Sequence, residues 1–216
     1  MILQSMFKNA TVLAVFALVS VGLTSLTYLM TRDKIQSERE QAVYKALTEI
    51  IPEDQFDNDP YRDCIEVTDP ELLGTSEPQL AWRLRQSGTP VGVVITSVAP
   101  NGYSGAIHLL VGHYTDGRIA GARVTEHKET PGLGDKVERQ KSDWILSFTN
   151  LATETLKPED WQVKKDGGQF DAFTGATITP RAVVSAVKRN HDYFRAHKQM
   201  LFDGPANCHA DEESEN

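Results

Sequence analysis

Residues 80–126 read LAWRLRQSGTPVGVVITSVAPNGYSGAIHLLVGHYTDGRIAGARVTE, and this stretch decides the fold. Apolar and β-branched runs alternate in it with turn signals such as Pro100-Asn101-Gly102 and Thr115-Asp116-Gly117. Because short turns join strands that run in opposite directions, the stretch predicts an antiparallel sheet. The four predicted strands are the alternating run Leu80, Trp82 and Leu84, then Val91–Val98, Ile107–Val111 and Arg118–Glu126.

Helical signals return on the C-terminal side of the predicted sheet. Ser142-Asp143 is a capping signal for a short helix that carries Trp144, Ile145 and Phe148. A second helix is predicted after Thr179, a favoured N-cap residue, with Pro180 at the first helical position. Strands followed by helices predict an α+β domain with an antiparallel sheet and flanking helices.

The chain that precedes the predicted sheet begins with an apolar segment. Asn9–Thr31 contains no charged residue, and a helix of that length spans roughly 35 Å, enough for the hydrocarbon core of a membrane. This predicts a single transmembrane anchor. The alternative is a cleaved signal peptide, although no small-x-small pattern follows before the charged residues begin. Lysine and arginine flank both ends, so the charges leave the orientation of the anchor open.

The segment between the anchor and the sheet has two parts. Ile35–Ile51 has apolar residues at helical spacing and is ended by Pro52, so a helical stalk is predicted. Glu53–Pro78 is rich in aspartate and proline and is predicted to be irregular.

Composition excludes several classes of function. The chain has 30 acidic and 22 basic residues and a net charge of −8, which disfavours binding to nucleic acid. It has no C-x-x-C motif, no histidines at zinc-site spacing and no nucleophile elbow. Cys64 and Cys208 are the only cysteines, and they form either one bridge or two separate buried thiols.

The sharpest candidate for chemistry is DAFTGATITP, residues 171–180. Gly175 and Ala176 suit a tight turn, and the hydroxyls of Thr174 and Thr177 lie on either side of it. The turn leads into a predicted helix start, where free N–H groups and the helix dipole favour an anion such as phosphate. The alternative is an ordinary capped helix that follows a loop.

Two further loops are candidates for a binding site. Residues 125–136 read TEHKETPGLGDK and leave a predicted strand, while residues 101–105 read NGYSG and join two strands. Gly132-x-Gly134 is not a dinucleotide fingerprint, because Val137 stands where the third glycine belongs. Each loop alone is also compatible with a plain turn.

Taken together, the motifs resemble a known family. Thr-Gly-Ala-Thr with an aspartate three residues before it resembles the site at which a flavin transferase attaches FMN covalently to membrane-anchored redox proteins. HKETPGLGDK, GYSGAI, the turn at Asp166–Gly168 and the stretch Thr177–Arg189 are also similar to that family. The closest resemblance is to the G subunit of the Rnf (or Rsx) ion-translocating electron-transport complex. The C subunit of the Na⁺-translocating NADH:quinone reductase is a more distant match.

The resemblance implies FMN as the cofactor, joined by a phosphoester to the Thr177 hydroxyl. The transferase recognition sequence is then Asp171, Thr174, Gly175 and Ala176. The expected contacts to the isoalloxazine ring or the ribityl chain are Glu129, Thr130, Leu133 and Gly134, followed by Tyr103 and Ser104. No metal ligand and no catalytic protein residue is implied, because the flavin supplies the chemistry.

The implied function is electron transfer within a membrane complex that couples it to ion translocation, without stand-alone catalysis. The implied partners are the other proteins of the Rnf complex, the flavin transferase and the bacterial inner membrane, with the soluble domain in the periplasm. Two alternatives are the sodium-pump relative and a non-catalytic anchored assembly module. The expected segments are a cytoplasmic N-terminus (1–8), the anchor (9–31), a helical stalk and irregular connector (32–78), an FMN-binding domain (79–200) and an acidic tail (201–216).

Overall fold

The computed structural model describes residues 2–208. The chain forms two compact units, one up to Val43 and one from Tyr44 onward. The first unit is helical throughout its described residues and belongs to helix α1, Ile2–Thr48, which continues into the second unit. Most of the acidic tail, from residue 209 to the C-terminus, lies outside the described residues.

Within α1, Asn9–Thr31 is long and apolar enough to cross a membrane, with a mean hydropathy of 2.1. The helix satisfies its own backbone, as a lipid environment requires. The hydroxyls of Thr24 and Thr27 also donate to carbonyls four residues earlier, each at 2.8 Å. The polar side chains of this segment are therefore compatible with the predicted anchor.

The second unit contains a five-stranded antiparallel sheet, and its strands are in sequence order. The four predicted strands are present, and the predicted α+β class is confirmed. The prediction that residues 53–78 are irregular was wrong at one point, because a fifth strand pairs there from Cys64↔Trp82 to Val67↔Gln79. A strand of four residues is too short to show a period. The strands are β1 (Cys64–Val67), β2 (Gln79–Gln86), β3 (Thr89–Ala99), β4 (Ile107–Tyr114) and β5 (Ile119–Glu126).

Two helical segments follow the sheet. Trp144–Phe148 is a short 3₁₀ helix, and the Ser142 hydroxyl accepts the Trp144 N–H at 3.2 Å. Helix α2 is Ile178–Asp203 with Thr177 as its N-cap, so the prediction of Thr179 as the cap was wrong by two residues. Thr179 lies inside the helix, and its hydroxyl bonds to a distant carboxylate instead of capping the helix backbone.

Helix α2 packs against one face of the sheet and closes the core. Its apolar residues pack against those of the central strands β3 and β4. The same core includes aromatic residues of the loops that follow the sheet. The largest fully buried side chains include Ile95, Leu109, Phe148, Phe194 and Leu201.

Two histidines are enclosed in this core. Nε2 of His113 lies 2.8 Å from Oδ1 of Asn190, and the His113 ring stacks on Phe194 with centroids 4.5 Å apart. His191 stacks near His113 at 5.4 Å, and neither of its ring nitrogens has a hydrogen-bond partner within the described residues. Burial lowers the pKa of His113 to about 3 and that of His191 to about 4, so both are neutral at pH 7.

A disulfide joins Cys64 on β1 to Cys208, with Cα atoms 5.6 Å apart. Next to it, the Asn207 N–H donates to the Cys64 carbonyl at 3.1 Å. The Asn207 side-chain oxygen accepts the Glu66 N–H at 2.7 Å. The segment that follows α2 is therefore held against the edge strand of the sheet, and of the two alternatives for the cysteines the structure contains the bridge.

Candidate functional site

A cavity of about 480 Å³ opens beside the first turn of α2. Its volume lies within the range of small-molecule and cofactor sites. Three segments of the chain form its walls: the turn between β3 and β4, the loop after β5, and the loop that enters α2. The lining residues are Tyr103, Glu129, Thr130, Leu133, Gly134, Gly175, Ala176, Thr177, Ile178, Thr179 and Arg181.

The buried carboxylate of Glu129 links the three walls. Glu129 is only 5% exposed, and its Oε1 accepts the N–H of Ser104 at 2.9 Å. Its Oε2 accepts the hydroxyl hydrogen of Thr179 in a short hydrogen bond. Glu129 therefore connects the loop after β5 to both the 101–105 turn and the first turn of α2. Hydrogen bonds to a charged acceptor are among the stronger ones, so this carboxylate fixes the shape of the cavity.

The loop that carries Glu129 is held from behind by His127. Nε2 of His127 lies 2.6 Å from Oε1 of Glu138, and Nδ1 accepts the backbone N–H of Glu129 at 2.9 Å. Since Nδ1 is an acceptor, the ring proton lies on Nε2 and is donated to Glu138. The backbone of Glu129 is thus positioned by a side chain outside the cavity.

Two glycines keep space where the walls approach each other. A Cβ at Gly134 would lie 2.8 Å from Oγ1 of Thr179 and 2.9 Å from Cβ of Glu129, so any side chain there would push these walls apart. Gly175 has φ +83°, in the left-handed region that other residues rarely adopt, and so forms the tight turn before Thr177. The geometry therefore requires glycine at position 175 of the motif and at position 134.

Thr177 stands at the point where this turn becomes the helix. It is the N-cap of α2, and its hydroxyl makes no hydrogen bond to any described residue. The amides of the first helical turn have no carbonyl partners within the helix and lie at the positive end of its dipole. A free hydroxyl and an anion-binding helix start therefore meet at the cavity wall.

An ion pair borders the same wall. The guanidinium of Arg181 donates two hydrogen bonds to the carboxylate of Asp166, at 2.5 and 2.6 Å. The hydrogen bond from Arg181 lowers the pKa of Asp166 below its ordinary value. Asp166 precedes Gly167, which has φ +95°, so the predicted turn at residues 166–168 is tied to the first turn of α2.

The structure brings most, but not all, of the predicted site residues to the cavity. Ser104 contributes only its backbone N–H, to Glu129. Asp171 pairs with Lys164 at 2.7 Å, and its carbonyl accepts the indole N–H of Trp144 at 2.7 Å. Thr174 is exposed and does not line the cavity. The predicted residues that do line it are Thr177, Gly175, Ala176, Glu129, Thr130, Leu133, Gly134 and Tyr103.

Three lining residues were missed by sequence reasoning: Ile178, Thr179 and Arg181. They belong to the first turn of α2, where successive side chains of one helical turn reach the cavity. The sequence did indicate a helix start in this region, which could have identified these residues. Thr179, however, was interpreted as a cap. Its bond to Glu129 spans 50 positions of sequence and has no local signature.

Family models match both units of the chain. Residues 102–191 match the FMN-binding domain, and residues 1–50 match the RnfG N-terminal region. The first match contains all three walls of the cavity. The chain is thus a flavin-domain protein with an N-terminal apolar helix.

Comparison with known proteins gives the particular family. The chain is 47% identical over 205 residues to the G subunit of the ion-translocating oxidoreductase complex of Pseudoalteromonas atlantica, covering 95% of each chain. It is 44% identical to the corresponding protein of Shewanella piezotolerans, covering 97% of this chain and 99% of the relative. It is also 44% identical to that of Vibrio cholerae, covering 95% and 98%. The chain belongs to the family of G subunits of ion-translocating oxidoreductase complexes, as the motifs predicted.

A solved structure, that of Shewanella oneidensis NqrC, is also similar. Its TM-score is 0.47 at 23% sequence identity, and the match covers 63% of this chain and 69% of that chain.

The cavity suits the FMN that the domain family is named for. Its volume, the close approach at Gly134 and the mixed apolar and polar lining are those of a ligand site. The helix start beside Thr177 is suited to a phosphate group.

Proposed function

We propose that this chain is a membrane-anchored electron carrier of an ion-translocating oxidoreductase complex, with FMN attached covalently through a phosphoester to Thr177. The observation that carries the proposal is the position of the Thr177 hydroxyl. It lines the cavity, it stands at the start of a 26-residue helix, and no described residue hydrogen-bonds to it. A hydroxyl held this way is available for esterification and directs the resulting phosphate to the helix N-terminus.

The walls of the cavity hold and enclose the cofactor in this proposal. FMN, when bound, supplies exchange of one or two electrons. Glu129 keeps the loop after β5 against α2, and Thr130, Leu133 and Gly134 form the wall along the ring or the ribityl chain. Tyr103 covers the opposite side from the β3–β4 turn. No side chain is needed as a nucleophile or a general base during electron transfer, so Thr177 acts once, at maturation.

The part of the motif that lies outside the cavity fits a role in maturation. Asp171 and Thr174 are exposed, and neither lines the cavity. Residues that hold the cofactor need to face it, whereas residues read by a flavin transferase need to face solvent. We assign Asp171 and Thr174 to recognition by the transferase, together with Gly175 and Ala176.

The proposed location is the bacterial inner membrane, with Asn9–Thr31 as the anchor, residues 1–8 on the cytoplasmic side and the flavin domain (79–200) in the periplasm. The Cys64–Cys208 disulfide supports the periplasmic location of the domain, because such bridges persist in oxidising compartments. A phosphatase that is active only in the periplasm, fused after Asn216, is expected to be active. A reporter that works only in the cytoplasm, active at the same position, would contradict the proposal.

The attachment site is tested by fluorescence of the denatured protein. The full chain is made together with a flavin transferase, separated on a denaturing gel and viewed under ultraviolet light. We expect a fluorescent band for the parent chain and none for Thr177→Ala. Mass spectrometry of the peptide that contains Thr177 should show a gain equal to FMN less one water.

Two control variants make this test specific. Thr177→Ser retains a hydroxyl at the same atom and should remain fluorescent, whereas Thr155→Ala changes an exposed threonine remote from the motif and should not alter the signal. A fluorescent Thr177→Ala band would refute the attachment site. A dark parent chain with an unmodified Thr177 would favour the non-catalytic assembly module instead.

A further inference from the structure

A second cavity, of about 300 Å³, lies beside the proposed flavin site. One wall is the end of β3 and the turn that follows it, and the other is the outer face of the first three turns of α2. Ile178 and Arg181 line both cavities, so the two are neighbours on one surface. The lining residues are Ala99, Pro100, Asn101, Ile178, Arg181, Ala182, Ser185 and Arg189.

The charge of this second cavity is opposite to that of the protein. The chain carries a net charge of −8, yet both charged residues that line the cavity are arginines. Arg181 is engaged by the carboxylate of Asp166. Arg189 donates a hydrogen bond to the Ser185 hydroxyl at 2.7 Å, and no carboxylate among the described residues pairs with it. Its guanidinium is half withdrawn from water, which lowers its pKa.

Exposed apolar side chains line the first cavity, and one of them, Ile178, also lines the second. Tyr103 is 68% exposed, Ile178 is 46% exposed and Leu133 is also exposed. Large apolar side chains that lie together on the surface of a soluble domain mark a contact site for another molecule. The combination of an apolar rim and an uncompensated guanidinium is complementary to an apolar surface that presents a carboxylate.

We infer that the cavity around Arg189 is the docking point for an acidic segment of the redox protein that exchanges electrons with the FMN. The inference rests on the proposed function. An electron-transfer partner has to bring its own redox centre next to the flavin, and a carboxylate bound at Arg189 places the partner in the second cavity, which shares Ile178 and Arg181 with the flavin site. Ser185 offers a further hydrogen bond to the same carboxylate.

The inference is tested by photo-crosslinking in native membranes that contain the assembled complex. A photoreactive benzoylphenylalanine at position 101, on the exposed rim of the cavity, is introduced into the full FMN-loaded chain. We expect a crosslink to another protein of the complex, at a peptide that contains aspartate or glutamate. Arg189→Glu should reduce the crosslink about tenfold at low ionic strength, because it turns attraction into repulsion. Replacing the crosslinked aspartate or glutamate of the partner with lysine should restore the crosslink to the Arg189→Glu chain.

Matched variants separate charge from folding. Arg195→Glu makes the same change on the same helix, at an exposed position outside the cavity, and should leave the crosslink unchanged. Arg189→Gln retains a donor for Ser185, so the fold is preserved, and it should reduce the crosslink and make the remainder less sensitive to salt.

Several outcomes would overturn the inference. They are equal effects of Arg189→Glu and Arg195→Glu, a crosslink to residues 209–216 of the same chain, or no crosslink at all from FMN-loaded protein. Flavin fluorescence is measured on every sample. Loss of fluorescence in the parent chain refutes the proposed function, whereas fluorescent protein without a charge effect refutes only the docking inference.

Discussion

The two ends of helix α2 differ in what surrounds them. At the cavity end, Thr177–Arg181, side chains of the first turn line a cavity, and the Thr177 hydroxyl is without a partner among the described residues. At the packed end, Asn190–Phe202, aromatic and aliphatic side chains are buried against the sheet. The chain beyond the packed end is joined to β1 by a disulfide.

This difference shows how one helix serves both binding and stability. A helix start offers N–H groups that the helix itself cannot satisfy, so it is a natural place for a phosphate. The core contacts begin at Ala182 and continue along the helix, where the backbone is already satisfied and most of the buried side chains are apolar. Changes at the packed end should therefore unfold the domain, while changes at the cavity end should disturb the site and leave most of the fold intact.

The largest effect is expected from Phe194→Ala at the packed end. Phe194 is 1% exposed and stacks on His113, so its removal leaves a cavity and should reduce the free energy of unfolding by about 3–5 kcal/mol. Denaturant unfolding of the full chain in detergent measures the loss. Met200→Ala, an exposed change on the same helix, should cost little, and a similar loss in both variants would contradict the assignment of a packed end.

Removal of the disulfide is expected to have the next largest effect. The bridge closes a long loop, with a sequence separation of 144, so Cys208→Ser should reduce the free energy of unfolding by about 2–4 kcal/mol. Dithiothreitol should shift the denaturation midpoint of the parent chain by a similar amount and should not shift that of the variant. A parent chain that is unaffected by the reductant would show that the bridge does not support the packed end.

A smaller and more local effect is expected at the cavity end from Glu129→Ala. The substitution leaves the Ser104 N–H and the buried Thr179 hydroxyl without their acceptor and should cost about 2 kcal/mol. Hydrogen exchange at the Ser104 amide should accelerate, whereas exchange in β3 should change little. Glu126→Ala removes an exposed carboxylate at the end of β5 and is the matched control. If hydrogen exchange accelerated equally at Ser104 and in β3, the cavity end could not be disturbed without loosening the packed core.

The smallest effect concerns pH at the packed end. His113 and His191 have pKa values of about 3 and about 4 in the folded chain, below the ordinary value of 6.5. The unfolded chain therefore binds more protons below pH 6.5, and the stability falls as the pH falls from 6.5 towards 4. Each histidine should cost roughly 1 kcal/mol between pH 7.5 and pH 5.5.

His191→Phe tests this dependence because it retains the stacked ring and removes two nitrogens that lack partners among the described residues. The loss of stability between the two pH values should shrink by roughly 1 kcal/mol. His108→Gln changes an exposed histidine on β4 and should not alter the loss of stability between the two pH values. If both variants behave alike, the buried histidines are not the source of the pH dependence.

Local sequence patterns predicted most of the fold. The strands around Val91–Val98 and Ile107–Val111 were identified because they are long enough to show β-branched or alternating residues between turn signals. Strand β1 was missed because its four residues lie in an aspartate- and proline-rich segment, and only pairing with β2 and the bridge at Cys64 make it a strand.

Motifs in the sequence predicted residues of the site. They did not predict the contacts between distant segments that bring those residues together. Thr177 and Gly175 were identified from a contiguous motif, since a glycine turn and a helix start are local features. The role of Thr179 was interpreted wrongly because its partner, Glu129, is 50 positions away in sequence. Arg189 was not identified as a site residue, because its cavity exists only where the end of β3 lies opposite the outer face of α2.

By itself, the sequence determined the apolar N-terminal segment, four of the five strands, a helix that follows the Thr-Gly-Ala-Thr motif and the family, because each of these depends on neighbouring residues. Only the tertiary structure decided that Glu129 joins three loops, that two histidines are enclosed between α2 and the sheet, and that two cavities share the wall formed by Ile178 and Arg181. These features depend on contacts between distant segments, and such contacts are fixed by packing of the whole domain rather than by local preference.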